Sequence, residues 1–181
     1  MKILIASDIH GSLTYCRELL AAYSRESAEK LLLLGDILYH GPRNGLCEGY
    51  DPKAVADLLN EMPRDILCIR GNCDSEVDQM VLDFPIMSEF CLLDNRGAAA
   101  LAVHGHKDTD KLALGGVKIV FSGHTHVPTN ILRDGDLWAN PGSVSIPKEN
   151  TPRGYILWDK NALEWKTLSG EVYDRRELSE I

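Results

Sequence analysis

Five of the six histidines in this 181-residue chain fall in short polar clusters that directly follow apolar runs. Ser7-Asp8-Ile9-His10-Gly11 follows the first run, Gly35-Asp36 the second and Gly71-Asn72-Cys73-Asp74 the third. His104-Gly105-His106 and Gly123-His124-Thr125-His126 close two later ones. Aspartate, asparagine and histidine without a cysteine pair suit manganese, iron or zinc in an open catalytic site, rather than calcium or a closed zinc knot. Asp8, His10, Asp36, Asn72, His104, His124 and His126 are the candidate ligands, too many for one tetrahedral ion. Two ions of higher coordination sharing one carboxylate account for them and leave positions for water and substrate. Two metals about 3.5–4 Å apart are the arrangement that hydrolyses phosphoesters. For Asp8 and His10 alone, a strand-end turn with an Asx hydrogen bond is an equal explanation. Four further clusters in register argue against it.

Those clusters need elements to present them. Ligands of open α/β sheets bind beyond the carboxyl ends of the strands. Side chains two apart on an extended segment share a side, so Asp8 with His10, and His124 with His126, are expected to present two ligands together. The first half alternates strands at 2–7, 30–34 and 65–70 with helices at 12–25, 51–62 and 75–82. Ser12 is placed to cap the first helix, and Pro52 takes the first helical position of the second. The second half reads as strands at 88–93, 98–103, 117–122, 129–133, 137–140, 154–159 and 163–168, interrupted by one helix at 108–114. Turns are expected at 94–97, 133–136 and 159–161, and the residues after Tyr173 read as a solvated tail. Alternating β-α units followed by a run of strands predict an α/β fold, two sheets sandwiched between outer helices, with one domain over 1–181.

Composition narrows the partners. A net charge of −8 gains nothing from counterion release, which argues against an extended nucleic acid. A small phosphoester substrate would need cations held locally, as bound metals provide. The five cysteines are odd in number and scattered, without a CxxC pair, as suits a reducing compartment. No run approaches the roughly 18 apolar residues that span a bilayer, and the apolar N-terminus is too short for a signal sequence. The expectation is a cytoplasmic protein with no membrane partner. Cys16, Cys68, Leu19-Leu20 and the run 31–34 read as core.

Taken in order, Asp8-x-His10, Gly35-Asp36, Gly71-Asn72-x-Asp74, His104-Gly105-His106 and Gly123-His124-x-His126 resemble the motifs of the calcineurin-like metallophosphoesterase superfamily. The stretches 35–44, 70–80 and 140–148 are most similar to its YfcE-type bacterial phosphodiesterases, so the likeness runs through nearly the whole chain. The resemblance implies a four-layer α/β/β/α sandwich of two mixed sheets flanked by helices. It implies two divalent metal ions, manganese foremost, with zinc, iron or nickel as alternatives. Asp36 would bridge them, with Asp8, His10 and His126 completing one site and Asn72, His104 and His124 the other. A hydroxide between the metals would attack phosphorus in line. Asn72, Cys73, Asp74 and His104 form the implied catalytic group. A homo-oligomer is also an expectation of the resemblance, though no residue pattern marks an interface.

Other residues near the motifs carry two readings each. His106 fits a contact to phosphate or to a ligand better than a plain surface histidine. His40, Arg43 and Asn44 follow Asp36 in a loop, and read equally as substrate contacts or as turn and subunit contacts. The Asn140-Pro141-Gly142-Ser143 turn is expected to shape the site floor and bind nothing directly. A phosphomonoesterase needs the same metals as a phosphodiesterase. A non-catalytic interaction module of the same fold is the rival from another class, and intact ligand positions favour the enzyme. A DNA-processing nuclease would need DNA-binding parts absent from this short acidic chain.

Cys73 departs from the histidine that many superfamily members carry at this position. A thiol, with an ordinary pKa near 8.5, is a weaker donor than imidazolium. Cys73 is therefore expected to restrict turnover to esters with good leaving groups, or to diesters needing little protonation. A Cys73→His variant should raise the rate on alkyl esters relative to aryl esters. An unchanged ratio in steady-state assays would count against that role.

Overall fold

The computed structural model describes residues 1–107 and 115–180. It begins with β1 (Ile3–Ala6), α1 (Leu13–Glu26), β2 (Lys30–Leu33), α2 (Pro52–Leu59), β3 (Ile66–Cys68) and the single turn α3 (Glu76–Gln79). There follow β4 (Phe90–Asn95), β5 (Ala98–Val103), β6 (Ile119–Phe121), β7 (Thr129–Arg133), β8 (Asp136–Asn140), β9 (Gly154–Asp159), β10 (Ala162–Thr167) and β11 (Val172–Glu177). One sheet runs β11-β10-β9-β1-β2-β3, the other β4-β5-β6-β8-β7. β1, β2 and β3 are parallel, as are β5, β6 and β8, while the remaining pairings are antiparallel. Both sheets are therefore mixed.

The unbroken apolar runs of β1 and β2 follow from burial on both faces. Leu4, Ala6, Leu31 and Leu33 face the helices, packing with Cys16, Leu19 and Ala22 of α1 and Val55, Ala56 and Leu59 of α2. Ile3, Ile5, Leu32 and Leu34 alternate with them and, together with Trp158 and Trp165 of β9 and β10, face the second sheet, meeting Ala100, Ala102, Phe121 and Ala139. On the far face of the second sheet lie Leu101, Val103 and Val120. The helix expected at 108–114 lies outside the described residues. The helix starts follow their capping chemistry: Ser12 Oγ accepts from the Tyr15 N–H at 3.3 Å, and Asp51 Oδ1 from the Ala54 N–H at 3.0 Å.

Two sequence expectations need correction. The residues after Tyr173 are not a loose tail, since they continue β11, which pairs with β10 and completes the first sheet. Its side chains are charged because it is an edge strand: Arg175 bonds Glu164 at 2.6 Å and Glu177 at 2.7 Å on the solvent side. The turn placed at 94–97 is tighter. Arg96 and Gly97 alone make it, with φ of 61° and 90°, which suits a two-residue type I′ hairpin. Asp94 and Asn95 stay in β4, where Asn95 Nδ2 donates to the Met1 carbonyl at 3.0 Å.

α1 is tied to the antiparallel half of the first sheet by a small polar network. Glu26 Oε1 accepts from Lys166 Nζ at 2.7 Å and from the Tyr155 hydroxyl at 2.7 Å, while Arg25 donates to that hydroxyl and to the Leu168 carbonyl. Burial raises the Glu26 carboxyl, but Lys166 and Tyr155 outweigh it and hold the group below its ordinary value of 4.5. A depressed carboxylate contributes stability above its unfolded pKa, and that contribution is lost as pH falls through the folded value. Glu26→Gln should cost about 1.5–3 kcal/mol at neutral pH, the scale of a charged hydrogen bond. Urea unfolding across pH should show a shallower acid limb than in the parent.

Candidate metal centre

The five polar clusters all leave the carboxyl ends of parallel strands, where the two sheets open against each other. Asp8 and His10 follow β1, Asp36 follows β2, Asn72 follows β3, His104 follows β5, and His124 and His126 follow β6. Two compact groups result. Asp8, His10 and His126 offer ligand atoms all within 4.8 Å of one another, as do Asp36, His104 and His124. His10 Nε2 lies 3.7 Å from Asp36 Oδ2, and His104 Nε2 lies 3.5 Å from the same oxygen, so Asp36 stands between the groups. Asn72 Oδ1 is 3.1 Å from His104 Nε2.

The means of presenting these side chains differs from the extended pairing expected. Asp8, His10, Asp36, His124 and His126 all have positive φ, between 50° and 66°. The strands have already ended, and a coiled backbone rather than a pleat turns both members of each pair inward. Left-handed backbone is costly for residues other than glycine, and such strain collects at functional sites. It is held by hydrogen bonds from a distance. Ser143 and Ser145 hydroxyls donate to the Asp8 carbonyl at 2.8 and 3.1 Å. Asn140 Nδ2 donates to the Gly123 carbonyl at 2.8 Å, and the Asp8 carboxylate receives the His124 N–H at 3.0 Å. The turn at 140–143 thus fixes the ligand loops.

Three histidines have their tautomers set by the backbone. His10 Nδ1 lies 2.7 Å from the Tyr39 carbonyl, His104 Nδ1 2.6 Å from Leu34 and His126 Nδ1 2.8 Å from Ile146. A carbonyl only accepts, so each Nδ1 carries the proton and each Nε2 points inward as a lone-pair donor. His10 and His126 bring their Nε2 atoms within 3.3 Å of each other. Asp8 Oδ1 is fully buried beside them without a hydrogen-bond partner among the described residues. Converging lone pairs and an unpartnered carboxylate oxygen fit a cation.

Electrostatics point the same way. Burial alone raises the Asp8 and Asp36 carboxyls, yet the surrounding imidazoles hold both below the ordinary range. Burial lowers His104, and the two carboxylates overcome it and lift the ring to about 9. The centre draws positive charge onto its nitrogens, a demand that divalent cations meet without protons.

A cleft of about 450 Å³ lies above the centre, lined by His10, Asp36, Asn72, Cys73, His124 and His126 together with Arg43, Asn44, Thr125 and Lys148. Arg43 therefore borders the site. His40 is not among the lining residues; its ring packs edge-on against Tyr39 and Tyr50. His106 is exposed beside His104 and His124, with ring centroids 5.4 and 6.2 Å away. The Cys73 thiol is pushed up to about 12 by burial and by Asp36.

Asp74, grouped by sequence with the catalytic residues, has its carboxylate occupied elsewhere. Oδ2 accepts the Asp36 and Gly71 N–H groups at 2.8 and 2.7 Å, and Oδ1 the Ile37 N–H at 2.9 Å. That makes it a positioning residue. Gly71 is needed because a Cβ there would sit 2.1 Å from Asp36 Oδ1. Sequence reasoning missed Lys148 as a second cation over the cleft, and missed Ser145 and the Ile146 carbonyl. Lys148 ends one of the family-like stretches, the one available signal; the other two act through bonds to residues far away in sequence.

Asp74→Asn should turn an amide N–H₂ toward a backbone donor and loosen the Asp36 loop. Metal affinity is expected to fall about 10–100-fold, the usual cost of losing a supporting group. Titration calorimetry with manganese, on protein whose circular dichroism matches the parent, measures it.

The Calcineurin-like phosphoesterase superfamily domain matches residues 1–162. Phosphodiesterase YfcE of Escherichia coli K12 is 43% identical over 165 residues, 90% of each chain. The solved structure of Yfce, a phosphoesterase from E. coli, superimposes with a TM-score of 0.94 at 39% identity, covering 98% of this chain and all of that one. Wild-type Vps29 of Entamoeba histolytica, solved with Zn²⁺, matches at a TM-score of 0.66 and 20% identity over 98% of this chain and 99% of its own, a likeness of fold.

Proposed function

The chain belongs to the calcineurin-like phosphoesterase superfamily, and from that membership and its site we infer that it is a metal-dependent phosphodiesterase. The observation that carries the reading is the pair of ligand groups sharing Asp36. Asp8, His10 and His126 would hold one divalent ion, and Asn72, His104 and His124 the other, with Asp36 between them. Bound there, the ions supply charge neutralisation for phosphoryl oxygens and an acidified water. The chain's own residues orient the ester. Arg43 and Lys148 face the cleft with donors for the non-bridging oxygens, Arg43 as a planar fork and Lys148 as a point charge. His106, exposed next to two ligand rings but not among the residues that line the cleft, is proposed as a contact to substrate oxygens rather than to metal. Asp74 and Ser143 act at one remove, through the backbone of the ligand loops.

Manganese is the ion proposed, since oxygen and imidazole donors without thiolate pairs suit it, and zinc, iron or nickel can take the same positions. The substrate proposed is a small phosphoester. Only Arg43 and Lys148 among the lining residues are cationic, and the chain is acidic overall, so an extended nucleic acid finds little to hold it. Residues 1–181 are taken as one domain, because β9, β10 and β11 complete the sheet that β1 begins. Among the described residues no helix is long and apolar enough to cross a membrane. Unpaired cysteines support the cytoplasm as the compartment.

The test is hydrolysis of bis-4-nitrophenyl phosphate and 4-nitrophenyl phosphate by chelator-stripped protein, with and without added manganese. Metal should restore activity, with the diester faster. Asp36→Ala and Asn72→Ala should each lose at least about 100-fold, beyond the range of supporting residues. A faster monoester would move the assignment to a phosphomonoesterase with the same site. A folded, metal-loaded protein inactive on both would favour an interaction module.

A further inference from the structure

We propose that an apolar groove beside the metal cleft receives one ester arm of the substrate and selects phosphodiesters whose arm is uncharged and aromatic or apolar. The proposal rests on the phosphodiesterase reading above. The groove measures about 520 Å³ and is lined chiefly by Leu38, Tyr39, Tyr50, Val77 and Val81, with Cys73 at one end. Cys73 also lines the metal cleft, and its sulfur lies within 4.8 Å of ligand atoms of His10 and Asp36. A phosphoryl group seated at the centre therefore has a substituent that leads past the thiol into the groove.

Charge distinguishes the two spaces. The cleft has Arg43 and Lys148, whereas the groove sets the single cation Lys53 against Asp57 and Asp78. Lys53 pairs with Asp57 at 2.6 Å, and Asp78 Oδ2 accepts the Ser75 N–H and hydroxyl at 2.8 Å. One lysine against two aspartates leaves the groove without an excess of positive charge to meet a second phosphate. Val77, Val81 and Tyr39 are 69%, 51% and 41% exposed, so apolar surface stands open next to the reacting centre. Covering it with a ring gains burial that a methyl group cannot supply. Cys73 also explains how the arm passes, because a thiol at this junction occupies less room than an imidazole.

Binding of phenylphosphonate and methylphosphonate to the manganese-loaded protein tests this, read as competitive inhibition of diester hydrolysis. The phenyl compound should bind about tenfold more tightly. Val77→Glu and Val81→Glu, both at exposed positions outside the metal centre, should each bring that ratio close to one while leaving methylphosphonate unchanged. A ratio of one in the parent, or the parent's ratio retained in both variants, overturns the proposal. So does an unchanged ratio accompanied by altered size-exclusion behaviour, which would assign the groove to a contact between copies. Absence of metal-restored hydrolysis would instead fall on the phosphodiesterase reading, and the groove assignment would go with it.

Discussion

Two carboxylates, Asp8 and Asp36, are buried at 0% and 2% exposure within reach of the same histidines. Like charges so placed repel, and burial strips them of water. They remain together because positive charge gathers around them: the imidazoles of His10 and His104 are drawn toward their charged forms, and His126 Nε2 lies 3.3 Å from Asp8. Each of those rings is held from behind by a backbone carbonyl. The rest of the architecture answers to this concentration of charge, since loops from both sheets must arrive at one point with little freedom to relax.

Their convergence explains the backbone. A pleated strand would carry its ligands along its own axis and away from the partner sheet. Ending each strand early and coiling the next residues into left-handed conformations turns the side chains across the gap instead. The strain is spread over bonds from Asp74, Ser143, Ser145 and Asn140, none of which faces the cleft. Close packing between loops completes the device. Gly35 and Gly71 meet backbone to backbone, so the loops after β2 and β3 share one layer.

Much of this was legible in the sequence, for a physical reason. Strands buried on both faces read as unbroken apolar runs, and a polar cluster at the end of such a run has few explanations other than a site. The ligand types and their order could thus be read without knowing the backbone. How the pairs are presented could not, because a spacing of two fits a pleat as well as two left-handed turns. Ser145 is equally silent, as its partner is a carbonyl more than 130 residues away. β11 was missed because an edge strand lined with Asp174, Arg175 and Arg176 has the composition of a tail. Its pairing is decided by the neighbouring strand.

The placement of β1 has a consequence for how the molecule comes into being. β1 lies between β2, its parallel neighbour of early sequence, and β9, which starts at Gly154. Asp8 and His10 therefore follow a strand whose second neighbour lies far along the sequence, and their sheet stays open on one side until that neighbour is in place. His126, and the serines that fasten Asp8, also belong to the later part. Pairings of such long sequence separation form slowly, because the loop between the partners must close first. The ligands after β1 are thus held in place only once these distant segments have paired, and the metal centre is a product of the completed fold rather than its seed.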